Sequence, residues 1–196
     1  MSRPRISPRA AALLGLSLLA ATAACAITST LSPANIGTAV GSVTLWALSS
    51  TPLVDPSAYD VMLQTVVRTD RTSAFDFAFD LQVDSLHDTS AVLLPRGTMG
   101  LYVDGGLQVT QQPFDSITIA PTTGYQDTSA VVVKVGTVVL AASRSETCTN
   151  GYVRPIYAKL QVTTVDLVDR SLTFNILVDP NCGYRSLKAD TVPPTY

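Results

Sequence analysis

Histidine, glutamate and clustered positive charge are scarce in this 196-residue chain, and each shortage removes a class of function. His87 is the only histidine; it lies beside Asp88, and no GxSxG elbow occurs anywhere. A Ser–His nucleophilic site therefore lacks its base, and zinc and iron lack ligands. Beyond residue 9 the Lys and Arg residues are scattered, so neither nucleic acid nor an anionic lipid surface is an expected partner. The glycines at 97, 100, 105 and 106 bracket β-like segments and open no helix, which removes phosphate-loop and dinucleotide fingerprints. Among the acids there is a single Glu, and the other fourteen are Asp. Asp favours turns and strand ends where Glu favours helices, so this bias points to a loop-rich β protein.

No apolar run is long enough for a permanent membrane span. The longest, residues 10–24, would rise only ~22 Å as a helix against a hydrocarbon core of ~30 Å. It follows a basic stretch, MSRPRISPR, and the two together have the form of an export signal over residues 1–24. The run closes on Thr22-Ala23-Ala24-Cys25, which resembles the lipobox of bacterial lipoproteins, with Thr22 standing where that family most often has Leu. The resemblance implies cleavage before Cys25 and a diacylglycerol on its thiol. It implies a membrane partner through that lipid, in a cell envelope. Ala26 follows the cysteine where an Asp can retain such proteins at the inner membrane of enteric bacteria, which leans towards the outer membrane. An ordinary signal, cut after residue 23 or 26, is the alternative and would give a periplasmic or secreted protein. With Cys25 lipidated, Cys148 and Cys182 remain as a pair for a disulfide in an oxidising compartment.

Beyond residue 24 the chain carries 10 basic and 15 acidic residues. Residues 25–41 are small and polar and read as a tether. From residue 42 to 182 the pattern is that of strands. Residues 74–84 (AFDFAFDLQVD) put Phe75, Phe77, Phe79, Leu81 and Val83 on one face and Asp76, Asp80 and Asp84 on the other. Such alternation predicts one buried face and one wet face. Residues 59–68 read as a single strand, with a helix as the competing reading. Residues 98–103 and 107–112 flank Asp104-Gly105-Gly106 and read as a hairpin. Residues 130–141 form an apolar strand that Gly136 bends or bulges. Residues 156–164 and 172–178 alternate about a turn near Val168, and symmetry about it sets 182 opposite 154. The Cys148–Cys182 bond would then staple the open end of that hairpin. Residues 183–196 read as a frayed tail.

The expected fold is all-β: an antiparallel two-layer sandwich, Ig-like in general architecture, with a closed antiparallel barrel as the alternative. No catalytic set emerges. Successive members of the Asp76, Asp80, Asp84 row would stand ~13 Å apart, too far for an acid–base pair or a metal cage without partners from another strand. Calcium is the one metal these residue types suit, and no DxDxDG loop supports it. Tyr125 and Tyr152, in loops, are the candidate ligand surface. The expected function is a non-enzymatic binding or structural module of the envelope, with an envelope protein or a glycan as ligand. A cell-surface adhesion or carbohydrate-binding domain is the alternative, and an Asp-based hydrolase stands behind both.

Overall fold

The computed structural model describes residues 31–194; the expected signal peptide and Cys25 lie outside the described residues. Two five-stranded antiparallel sheets face each other and are not closed into a barrel. The first sheet runs β1 (Val40–Trp46), β12 (Ser171–Asp179), β11 (Tyr157–Asp166), β8 (Val138–Ala142), β6 (Gly106–Thr110). The second runs β3 (Thr65–Val67), β2 (Ala58–Asp60), β4 (Phe77–Val83), β5 (Thr89–Pro95), β7 (Val131–Val133). A small ribbon pairs β9 (Glu146–Thr147) with β10 (Val153–Arg154). No helix among the described residues is long and apolar enough to cross a membrane.

The core between the sheets is built by alternate residues of the long strands. Phe77, Phe79 and Leu81 of β4 meet Leu160 and Val162 of β11 and Phe174 and Ile176 of β12. At its centre the rings of Tyr59, Phe77 and Phe174 stand 5.8–6.1 Å apart by centroid, within the range of favourable aromatic pairs. The final hairpin keeps the expected register, pairing Tyr157 with Asp179 and Val162 with Phe174 before a bulge shifts it at Thr164.

Several strands differ from the sequence reading, chiefly because the sheets have no fully wet face. Outside the first sheet, Phe114, Ile117, Ala120 and Leu187 cover Val138, Leu140, Ala142, Tyr157 and Leu177. Outside the second, Phe75, Leu48, Met99 and Leu101 pack on Ala58, Ala78, Val92 and Leu94. β5 is therefore buried on both faces and carries no alternation to betray it. Phe75 belongs to the outer cluster and Phe77 to the core, because the chain bends at Asp76. The single strand read over 59–68 is two short strands joined by a turn at 61–64, which leaves Leu63 exposed, and no helix forms there. Residues 98–103 form no strand, and β6 pairs with β8 instead of closing a hairpin. The chain crosses so tightly at Gly105 that a Cβ there would strike the carbonyls of Ala142 and Ser143. The single strand read over 130–141 is two strands in different sheets: Gly136, at φ 87°, lies in the turn that passes the chain from β7 to β8, not in a bend or bulge of one strand.

The segments read as tether and tail are docked where they are described. Thr38 N–H donates to Thr191 O (3.1 Å), Asp190 N–H to Thr38 O (2.9 Å) and Leu187 N–H to Thr118 O (2.8 Å). Lys159 secures the outer cover from within the sheet. Its buried Nζ donates to the carbonyls of Phe114 (2.8 Å) and Ile117 (2.9 Å) and lies 4.4 Å from the Phe114 ring centre. Burial depresses its pKa.

Cys148 and Cys182 form a disulfide with Cα atoms 5.7 Å apart, closing a loop of sequence separation 34. Chain entropy gives a cross-link of this span roughly 3–4 kcal/mol. Urea unfolding of a Cys148→Ala/Cys182→Ala variant is expected to show a loss of that size with the β-sheet circular dichroism retained; a loss below ~1 kcal/mol would contradict it.

Candidate functional site

Two places in the sandwich concentrate polar or apolar groups in ways that ordinary packing does not require. The first is a buried ionic cluster. Asp60 closes β2, Asp76 precedes β4, and Arg144 follows β8 of the other sheet. Arg144 Nη2 donates to Asp60 Oδ2 at 2.8 Å and its Nη1 to Asp76 Oδ1 at 3.2 Å, with both carboxylates almost wholly buried. Backbone amides complete the set: Val61 N–H donates to Asp76 Oδ2 (2.8 Å), Arg144 N–H to Asp76 Oδ1 (2.7 Å) and Leu63 N–H to Asp60 Oδ1 (3.0 Å). Beside it, Asp104 accepts from Ser145 N–H at 2.7 Å and from its hydroxyl at 3.0 Å.

Burial raises the Asp76 pKa, and the Arg144 amide and charge only partly offset it. Burial also works against the Arg144 cation, but its hydrogen bond to Asp60 and the charges of both carboxylates outweigh that, and its pKa rises. The neighbouring Tyr59 hydroxyl is pushed up to about 12 by burial and, secondarily, by Asp60. An arginine shared between two carboxylates, each already accepting an amide, leaves no carboxylate placed as a free acid or base. The cluster's chemistry is that of a lock between sheets.

Asp76 is therefore not on a water-facing row. Of the expected series only Asp84 is exposed; Asp80 is partly buried and accepts from Ser49 N–H (3.1 Å) and Oγ (2.6 Å). The signal that could have found the cluster is local: Asp60 and Asp76 each interrupt an apolar stretch (Tyr59-Asp60-Val61, Phe75-Asp76-Phe77), and Arg144 follows a buried strand. Among the described residues, no three His, Cys, Asp or Glu side chains converge as metal ligands.

Tyr125 and Tyr152 sit against different elements. Tyr125 is half-buried over the outer cluster, 6.1 Å from Tyr157 by ring centre, and its hydroxyl donates to Pro121 O at 3.1 Å. Tyr152 is exposed in the β9–β10 turn, with Arg154 over its ring at 5.5 Å. His87 is exposed at φ 67° in the turn between β4 and β5.

The second place is the opposite end of the sandwich. β1 begins beside the C-terminal part of β12, Val40 against Leu177. The chain therefore enters at the end that carries the disulfide and Arg144, where Asn181 Oδ1 accepts from the amides of Asn35 (3.0 Å) and Ile36 (3.2 Å). The far end consists of the turns at 84–88, 134–137 and 167–170. Large aliphatic side chains stand in solvent there: Leu86 is 79% exposed, Val132 64%, Val135 61% and Val168 90%. Two grooves flank residues 132–135, one of about 650 Å³ reaching Val109 and Thr110 of β6, the other of about 590 Å³ reaching Val165 and Leu167. Exposed aliphatic side chains also occur at the Arg144 end, Leu63 at 71% among them; what the far end adds is the pair of grooves beside residues 132–135.

No protein-family model matches the chain, and no curated protein matches it in sequence.

Removing Arg144 would strand two buried carboxylates. Arg144→Met is expected to cost about 3–5 kcal/mol in denaturant unfolding, whereas Arg68→Met, at the exposed pair with Asp70, changes little. Acidification has the opposite sign. Burial raises the pKa of Asp179, despite hydrogen bonds from Asn181, as it does that of Asp76. The folded state thus holds these protons more tightly than the unfolded chain. The stability this supplies is complete below the ordinary Asp value and is lost as pH rises through the raised ones. A melting midpoint at pH 5 equal to or above that at pH 7 is expected; a lower one would contradict the assignment.

Proposed function

We propose that this chain is a lipoprotein of a bacterial cell envelope, held by a lipid on Cys25, whose sandwich works as a non-enzymatic binding module through its far end. The observation that carries this reading is the position of the exposed aliphatic turns. Leu86, Val135 and Val168 lie at the end opposite the one at which residues 31–40 join the sandwich. A module anchored at one end and sticky at the other suits a role of holding a partner away from the membrane.

Two further features support it. The Cys148–Cys182 bond fits an oxidising compartment and leaves Cys25 as the odd thiol, at the close of the lipobox-like run. Asp60 and Asp76, the two carboxylates of the buried cluster, are both held by Arg144, which favours a binding role over an Asp-based hydrolase. Tyr125 is engaged in packing, which favours a protein ligand at the far end over a glycan on an aromatic platform.

The anchoring half of the proposal is tested by metabolic labelling with an alkyne fatty acid. The wild type is expected to carry label and to fractionate with membranes, and Cys25→Ser to lose the label and leave the membrane fraction. An unlabelled wild type would overturn it.

A further inference from the structure

We propose that the Arg144 end of the sandwich docks on the lipid surface beside its anchor, setting two Tyr-Val pairs, Tyr102-Val103 and Tyr152-Val153, at the headgroup level of the bilayer. The inference rests on the anchoring reading above and adds to it a protein surface that touches lipid.

Both pairs stand in solvent: Tyr102 is 81% exposed and Tyr152 47%, and both valines are exposed. They belong to adjoining segments. Asp104, which follows the first pair, accepts from the Ser145 amide and hydroxyl, and this sets its loop against the base of the β9–β10 ribbon that carries the second. Tyrosine beside an aliphatic residue suits the membrane boundary. The body of the ring enters the apolar layer while the hydroxyl stays wet.

The length of the chain chooses the occupant. The described residues begin against this same ribbon. Ser32 and Thr149 share a hydroxyl–hydroxyl hydrogen bond of 2.7 Å, and a Cβ on Gly183 would meet both Leu31 Cδ2 (2.8 Å) and Arg154 Cγ (3.1 Å). From Leu31 back to Cys25 the chain can span at most ~22 Å. A lipid on Cys25 therefore keeps the ribbon within that distance of the headgroups. The far end is beyond it, since the ten residues of β11 carry the chain ~33 Å from the ribbon. A second copy anchored in the same leaflet would point this same end at the lipid and could not meet it end to end. Charge does not oppose the contact: Glu146 pairs with Arg154 across the ribbon, and Asp104 is engaged by Ser145.

The test uses protein with a lipid on Cys25, native or supplied by coupling its thiol to a maleimide phospholipid, in phosphatidylcholine vesicles that carry headgroup nitroxides. Trp46, the only tryptophan, is replaced by Phe, and a reporter is introduced by Tyr102→Trp, Tyr152→Trp or Val168→Trp. The nitroxide is expected to quench the first two reporters and to leave the third as bright as in vesicles without it. Adding Val103→Asp and Val153→Asp, both exposed substitutions, is expected to remove most of the quenching in the Tyr152→Trp protein. The melting midpoint stays unchanged and the protein still sediments with the vesicles. Quenching no greater at either tyrosine position than at 168, or quenching unchanged by the two Asp substitutions, would overturn the proposal. So would blue-shifted emission at the tyrosine positions that the nitroxide does not reach, the sign of self-association. The coupled lipid supplies an anchor whether or not the cell attaches one, so the docking and the anchoring fail or hold separately.

Discussion

One guanidinium bridges the two sheets. Arg144 leaves the end of β8 in the first sheet and reaches Asp60 and Asp76, which belong to β2 and to the start of β4 in the second. Taking three charges out of water is costly, and their attraction offsets that only where the geometry is good and every remaining lone pair is satisfied. Here the amides of Val61, Leu63 and Arg144 complete the set. Each partner depends on the others, so β2, β4 and β8 can exchange the arrangement only as a unit. The tight crossing at Gly105, the Asp104–Ser145 bonds and the disulfide fall in the same end of the molecule.

The docking of the segments on either side of the sandwich follows the same logic of satisfied burial. Asp179 is fully buried and accepts from Asn181 and Ser186, and Asn181 in turn ties residues 35 and 36 to the C-terminal part of β12. Two carbonyls and an aromatic face surround the Lys159 ammonium, and the charge of Asp115 partly offsets its burial. Lys159 thereby ties the cover of Phe114 and Ile117 to the outer face of the first sheet. At the far end Arg170 bonds to Ser49, while Leu86, Val135 and Val168 stand in water. That contrast between a closed end and an open one is what gives the proposed binding role its direction.

The sequence made some of this legible. Residues 156–164 and 172–178 alternate over long enough stretches to fix their own register, and the bulge at Thr164 comes only after the core pairs are set. The Cys148–Cys182 pair followed from counting cysteines, and Gly136 marked the place where one apolar run becomes two strands in different sheets. What was illegible depended on cover from far along the chain. β5 has no period because loops bury its outer face, and Asp76 looked solvent-facing because alternation set it opposite the phenylalanines while its partner Arg144 lies 68 residues away. The far-end site was illegible for the same reason, since Val109, Val132 and Val165 share one region only through the order of strands in two sheets.

Amide hydrogen exchange reads the ionic lock at the Arg144 end directly. The Val61 and Arg144 amides, both bonded to Asp76, should exchange at the slow rate of the core strands, while the turns at 84–88 and 134–137 exchange orders of magnitude faster. If the Val61 and Arg144 amides exchanged as fast as those turns, the ionic lock would not hold the sheets and the account would fail.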